Sequence, residues 1–126
     1  MGDTRQMVET GVRRSRTWKA TAGTGVALLA LVTIHMVAHH FVVEEVGGLR
    51  TYAQVLDYIS NPVIFVIECL FLVVVTTHAM LGLRSVLFDF GLSTRAKRVV
   101  AKGLLVLGIV TVAYGLTLLS VLASRA

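Results

Sequence analysis

The chain has 126 residues, 56% of them apolar and 15% charged, with a net charge of +5, a mean hydropathy of +0.80 and a pI of about 10.0. That composition excludes a soluble domain of this size, fits the membrane class, and leaves room for one domain only. The basic balance alone would suit a nucleic-acid binder, but the cations flank apolar runs and no aromatic or glycine-rich binding motif accompanies them, so no nucleic-acid partner is expected. Cys69 is the single cysteine, which excludes an internal disulfide and a cluster ligated by this chain's thiolates alone. Inside a span it reads as a small packing residue.

Residues 1–19 carry Arg5, Arg13, Arg14 and Arg16 beside Asp3 and Glu9 without a hydrophobic period, and read as a cytoplasmic N-terminal tail. Trp18 and Lys19 mark the membrane interface. Residues 20–126 then read as a three-helix membrane anchor. The run from Ala20 to Val43 has no acid and no fixed cation, and it exceeds the roughly 20 residues a bilayer demands. It is too long for a signal peptide, and no small-x-small cleavage site follows it. Glu44, Glu45, Gly47, Gly48 and Arg50 break the pattern. Leu49, Tyr52, Val55, Leu56 and Ile59 then space out a short interfacial helix.

Asn61-Pro62 opens the second span, about 62–88, with proline in the first turn, where its missing N–H costs nothing. Gly91 stops that helix, and Ser93 or Thr94 can cap the next, which runs from about Ala96 with its apolar span over about 102–123. Gly103, Gly108 and Gly115 offer it close-approach positions. Cations cluster before the first span and between the second and third, and only Arg50 lies between the first and second. The positive-inside rule therefore puts the N-terminus in the cytoplasm and the C-terminus outside, in a prokaryotic cytoplasmic membrane crossed three times.

The second span carries Glu68, His78, Arg84 and Asp89. Each ionisable group in lipid costs roughly 2.5–3.5 kcal/mol on the insertion scale, so such groups face a bundle interior, a cofactor or a substrate path. Glu68, Val75, His78, Gly82, Ser85 and Asp89 fall within about 100° of one another on this helix, and Arg84 lies on the far side from Glu68. Glu68 reads as a helix-to-helix hydrogen-bond partner, with a place in a proton route as the alternative. Among His35, His39, His40 and His78, His78 reads as a haem ligand, because Gly82 one turn on leaves room for a flat macrocycle. For His35 a ligand and a satisfied bundle histidine both stand. His39 and His40 read as interfacial residues satisfied by water, with service to a haem propionate or an outer quinone as the alternative for one of them. His35 and His78 differ in depth, so each would need a partner histidine from another chain to hold an iron.

The run His78-Ala-Met-Leu-Gly82-Leu-Arg84-Ser-Val-Leu-Phe-Asp89-Phe90 resembles the H-x-x-x-G-x-x-x-x-x-x-D-Y signature of the small hydrophobic membrane anchor family of succinate dehydrogenase, cytochrome b556 type. Trp18, Thr24 and Gly25 similarly match that family's W-x-x-Q-R-x-T-G start. The resemblance implies an all-α, three-span subunit of a heteromeric transmembrane bundle, paired with a second membrane anchor subunit and holding an iron–sulfur subunit and a flavoprotein subunit. It implies electron transfer from succinate to a membrane quinone. His78 would ligate one haem b and His35 a second, both shared with the partner anchor. Arg84 would serve a haem propionate, with snorkelling to the surface as its alternative. Asp89, Phe90 and Ser85 would line the quinone site. Phe90 stands where the family has tyrosine, so its ring has no hydroxyl to offer a quinone carbonyl. Thr21 and Ala22 replace the glutamine and arginine of the first motif.

On this reading the chain is a subunit of a respiratory enzyme of the tricarboxylic acid cycle with no complete active site of its own. The rivals are a fumarate reductase anchor, a haem-free structural anchor, and a transporter component carrying protons on Glu68. Against the last stand the absence of an inverted repeat and of broken helices.

Overall fold

The computed structural model describes the backbone of residues 2–41 and 51–126 and the side chains of residues 16–39 and 51–126. Four helices follow in order: α1 (Gly2–Phe41), α2 (Tyr52–Ser60), α3 (Pro62–Asp89) and α4 (Thr94–Ala123). Three carry stretches long and apolar enough to cross a membrane, Arg16–His39, Pro62–Asp89 and Thr94–Ala123. The expected all-α, three-span class is thus what the chain forms, with no strand among the described residues. α1 starts at Gly2, so the basic N-terminal stretch is helical backbone continuous with the first span. The side chain of His40, the Glu44–Arg50 segment and the side chains of the arginines before Arg16 lie outside the described residues.

Helix is the form that satisfies every backbone group without water. The hydroxyls inside the spans follow the same logic, since Thr33, Thr77, Thr117 and Ser120 each donate to the carbonyl four residues back. The helix ends are closed by side chains. Thr51 and Gln54 form a reciprocal capping box on α2. Asn61 Oδ1 accepts from the Val63 and Ile64 amides ahead of α3, and Ser93 Oγ accepts from Ala96 ahead of α4. Gly91 takes φ +70°, the conformation that ends α3 and that a side chain would resist.

α3 is the central helix. α1 packs on one flank and α4 on the other, α1 and α4 do not meet among the described residues, and α2 rests across α3 and α4 near the start of α3. A row of three helices buries little. Among the described residues only Tyr58, Ile59, Ile64, Thr76 and Leu104 are buried, and Val26, Val99 and Tyr114 are more than 60% exposed. Those apolar faces suit lipid and other membrane helices.

Two of the three expected close-approach glycines meet α3. A Cβ at Gly115 would lie 2.5 Å from Leu72 Cδ2, and one at Gly108 3.2 Å from Met80 Cγ. Gly103 departs from the expectation, with nothing within 4 Å of an added Cβ. It sits about 140° around α4 from Gly108, so it cannot share the contact face.

Candidate cofactor-binding layers

His78 on α3 faces α1 at Thr24 and Gly25. Its Nδ1 lies 3.1 Å from Thr24 Oγ1. That hydroxyl has a single proton, directed to the carbonyls of Ala20 (2.8 Å) and Thr21 (3.1 Å). When that proton serves the Ala20 carbonyl, the hydroxyl accepts from the imidazole, and the tautomer with its hydrogen on Nδ1 leaves Nε2 as a lone pair. This is how a metal-binding histidine is usually oriented, its second nitrogen donating to a fixed oxygen. Gly25 provides the space, since a Cβ there would come within 3.3 Å of His78 Cε1. Among the described residues nothing outside its own helix turn lies within 4 Å of a Cβ added at Gly82, so they leave open the space one turn beyond the histidine.

A second layer lies toward the α2 end. His35 Nδ1 on α1 is 2.9 Å from Glu68 Oε1 on α3, and Tyr58 on α2 donates its hydroxyl to the same oxygen at 2.8 Å. Glu68 therefore bridges helices, as expected. The His35 ring stacks on Phe71 at 4.9 Å and meets His39 at 4.1 Å. His39 lies 4.6 Å from the Tyr58 ring, with its Nε2 3.7 Å from Glu68. It is thus part of a side-chain cluster rather than simply an interfacial residue met by water. The ligand atoms of His35, His39 and Glu68 lie within 4.8 Å of one another. Ten residues separate Gly25 from His35 on α1, and ten separate Glu68 from His78 on α3. At 1.5 Å per residue the two layers lie about 15 Å apart along the bundle, too far to share one iron.

The remaining residues singled out in the sequence sit elsewhere on α3. Arg84 is about 120° around the helix from His78 and faces α4. There it lines an apolar cavity of about 750 Å³ with Thr76, Met80, Leu104, Gly108 and Leu116. Its guanidinium lies 4.9 Å over the Phe88 ring, which Lys97 Nζ also approaches at 5.6 Å, and its buried Nε has no hydrogen-bond partner among the described residues. Ser85, Asp89 and Phe90 are all exposed at the C-terminal end of α3, and Phe90 is 75% exposed. They share that helix end but form no closed pocket with other described residues.

Neither the part played by Tyr58 nor the pairing of Glu68 with His35 is apparent from sequence alone. The available signal is the i, i+4 spacing of His35 and His39, which puts two imidazoles on one face in search of a partner at the same depth. Thr24 and Gly25 stand out as motif positions, but their contact with His78 does not.

Three membrane-crossing helices, with histidines paired across them in two half-buried layers, define a multi-pass membrane subunit. Residues 8–117 match the family described as succinate dehydrogenase/fumarate reductase transmembrane subunit, and the chain belongs to that family. It is similar to the succinate dehydrogenase hydrophobic membrane anchor subunit of Thermoplasma acidophilum, at 28% identity over 84% of both chains. It is also similar to the subunit of the same name in Archaeoglobus fulgidus, at 31% identity over 81% of this chain and 85% of that one. No solved structure matches significantly.

Proposed function

We propose that this chain anchors a succinate:quinone oxidoreductase in a prokaryotic cytoplasmic membrane, N-terminus inside, holds haem b through His78 and His35, and forms part of the quinone site. A second anchor completes each haem site, and the iron–sulfur and flavoprotein subunits bind at the cytoplasmic end of α3. The observation that supports the reading is the Thr24–His78–Gly25 arrangement, in which Thr24 Oγ1 occupies Nδ1 and Gly25 lets α1 close on the ring, so that Nε2 is the nitrogen left to a ligand. His35 has the same disposition, with Nδ1 held by Glu68.

The haem, when bound, supplies a one-electron carrier in the membrane. The protein's share is to fix the imidazoles. Thr24 Oγ1 keeps the proton of His78 on Nδ1, and Gly25 lets α1 approach the ring. Asp89 and Ser85, one turn apart at the exposed end of α3, offer a carboxylate to exchange protons with the quinone and a hydroxyl to donate to its carbonyl. The ring of Phe90 offers an apolar wall.

The test is haem per purified complex, by reduced-minus-oxidised spectroscopy and extracted-haem quantification, for the wild type, His78→Ala and His35→Ala. Two b haems with one lost in each variant is the expected result. A wild-type complex without haem would leave a plain hydrophobic anchor.

A further inference from the structure

The two histidine layers differ in what holds Nδ1. At His78 the partner is a neutral hydroxyl, whereas at His35 it is a carboxylate. We propose that Glu68, clamped by Tyr58, is a positioning residue that sets the electron-donating strength of His35 and so lowers the reduction potential of the iron that His35 holds. The inference rests on the haem reading of His35 and concerns only this chain's own side chains.

Three observations support it. First, the clamp is rigid and partly shielded: the Glu68 and His35 side chains are 12% and 24% exposed, and Glu68 Oε1 is fixed both by α1 through His35 and by α2 through Tyr58. Second, the plane of the His35 ring is set by Phe71 stacked at 26° and by the His39 ring. The imidazole can therefore present Nε2 in only a narrow range of directions. Third, a carboxylate can only accept, so ionised Glu68 takes the Nδ1–H of His35 beside the Tyr58 hydroxyl and leaves Nε2 as a lone pair.

The consequence is electronic. A carboxylate that draws on the Nδ1 proton makes Nε2 a more basic ligand. A stronger donor favours ferric over ferrous iron, so the potential falls. The Tyr58 hydroxyl acts in the opposite sense, because it takes up part of the carboxylate's accepting capacity. Glu68 and Tyr58 thus work against each other on one iron, and the described residues of the His78 layer hold no such pair.

This opposition is what a purely structural role would not produce. In the intact purified complex, potentiometric titration of the b haems should show Glu68→Gln retaining both haems while the His35-dependent one becomes easier to reduce. A tenfold change in its ferrous-to-ferric ratio at fixed ambient potential corresponds to about 59 mV for one electron. Tyr58→Phe should shift the same haem in the opposite direction, and neither variant should move the His78-dependent haem. If Glu68→Gln fails to assemble, Tyr58→Phe keeps the carboxylate and decides alone.

An unchanged potential in a variant that keeps its His35-dependent haem would overturn the inference and leave the ligand reading intact. So would equal shifts of both haems. Zinc found in the purified complex and lost with Glu68→Gln would also overturn it, making the cluster of His35, His39 and Glu68 a separate cation site. Full haem content in His35→Ala would instead remove the ligand reading on which the inference rests.

Discussion

The layer at His78 is sparse and the layer at His35 is crowded. The first consists of one imidazole, one hydroxyl and a glycine that clears the way. The second gathers two imidazoles, a phenol, a phenyl ring and a carboxylate from three helices. Both achieve the same local result, an imidazole whose Nδ1 is met by an oxygen from the neighbouring helix. They achieve it by different means, the first by space and the second by charge and stacking. A site made by space is sensitive to added volume, and a site made by charge to a lost partner.

The largest expected effect tests the sparse layer. Gly25→Leu would drive a branched side chain into the His78 imidazole, where even a Cβ comes within 3.3 Å. The variant complex should lose the His78-dependent haem, as measured by extracted haem, and keep the other. Thr24→Val comes next. It preserves shape but removes the oxygen that accepts from Nδ1, and second-sphere losses of this kind weaken metal binding by about 10–100-fold. Faster haem loss on dilution or with a scavenger should show it, and Thr24→Ser should restore retention. If Thr24→Val holds haem as firmly as wild type, the proton is not fixed by this hydroxyl and the comparison between layers fails.

In the crowded layer, Tyr58→Phe removes a donor from a carboxylate but keeps the buried ring. Hydrogen bonds to charged groups contribute about 1.5–3 kcal/mol, so the thermal midpoint of the complex should fall by a few degrees with haem content unchanged. A large loss of haem would mean that α2 supports the ligand geometry itself and not only the carboxylate.

How much of this was legible in the sequence depends on which signal a residue carries. The spans showed in the hydropathy, and the ends of α3 and α4 in Asn61-Pro62, Gly91 and Ser93, because caps are local chemistry. The short helix α2 showed in the spacing of Tyr52, Val55, Leu56 and Ile59. The pairing of α1 with α3 did not. The Glu68–His78 stripe marks one face of α3 in an otherwise evenly apolar helix, but it does not say which neighbour meets that face or at what register, which packing sets. Gly25 against His78 and Glu68 against His35 follow from that register, and Tyr58 reaches Glu68 only because α2 folds back across α3. The angles within one helix were readable. They separate Arg84 from His78, and the same arithmetic applied to α4 would have removed Gly103 from the contact face.

The smallest expected effect lies at Gly82, one turn beyond His78. Among the described residues no side chain and no other helix comes within 4 Å of a Cβ placed there, so Gly82→Ala adds a methyl to space that these residues leave open. Surface-type substitutions without a clash usually change stability by within about 0.5 kcal/mol. The melting of the complex should therefore be unchanged, unlike that of a Gly25 variant, where the neighbour is the imidazole itself. If a macrocycle on His78 lies over Gly82, the methyl meets it and no other group, and a small shift of the reduced b-haem band is the expected signature. A complex that fails to assemble would place a helix of the partner anchor against Gly82 instead. The space that distinguishes the sparse layer would then belong to protein packing and not to a cofactor.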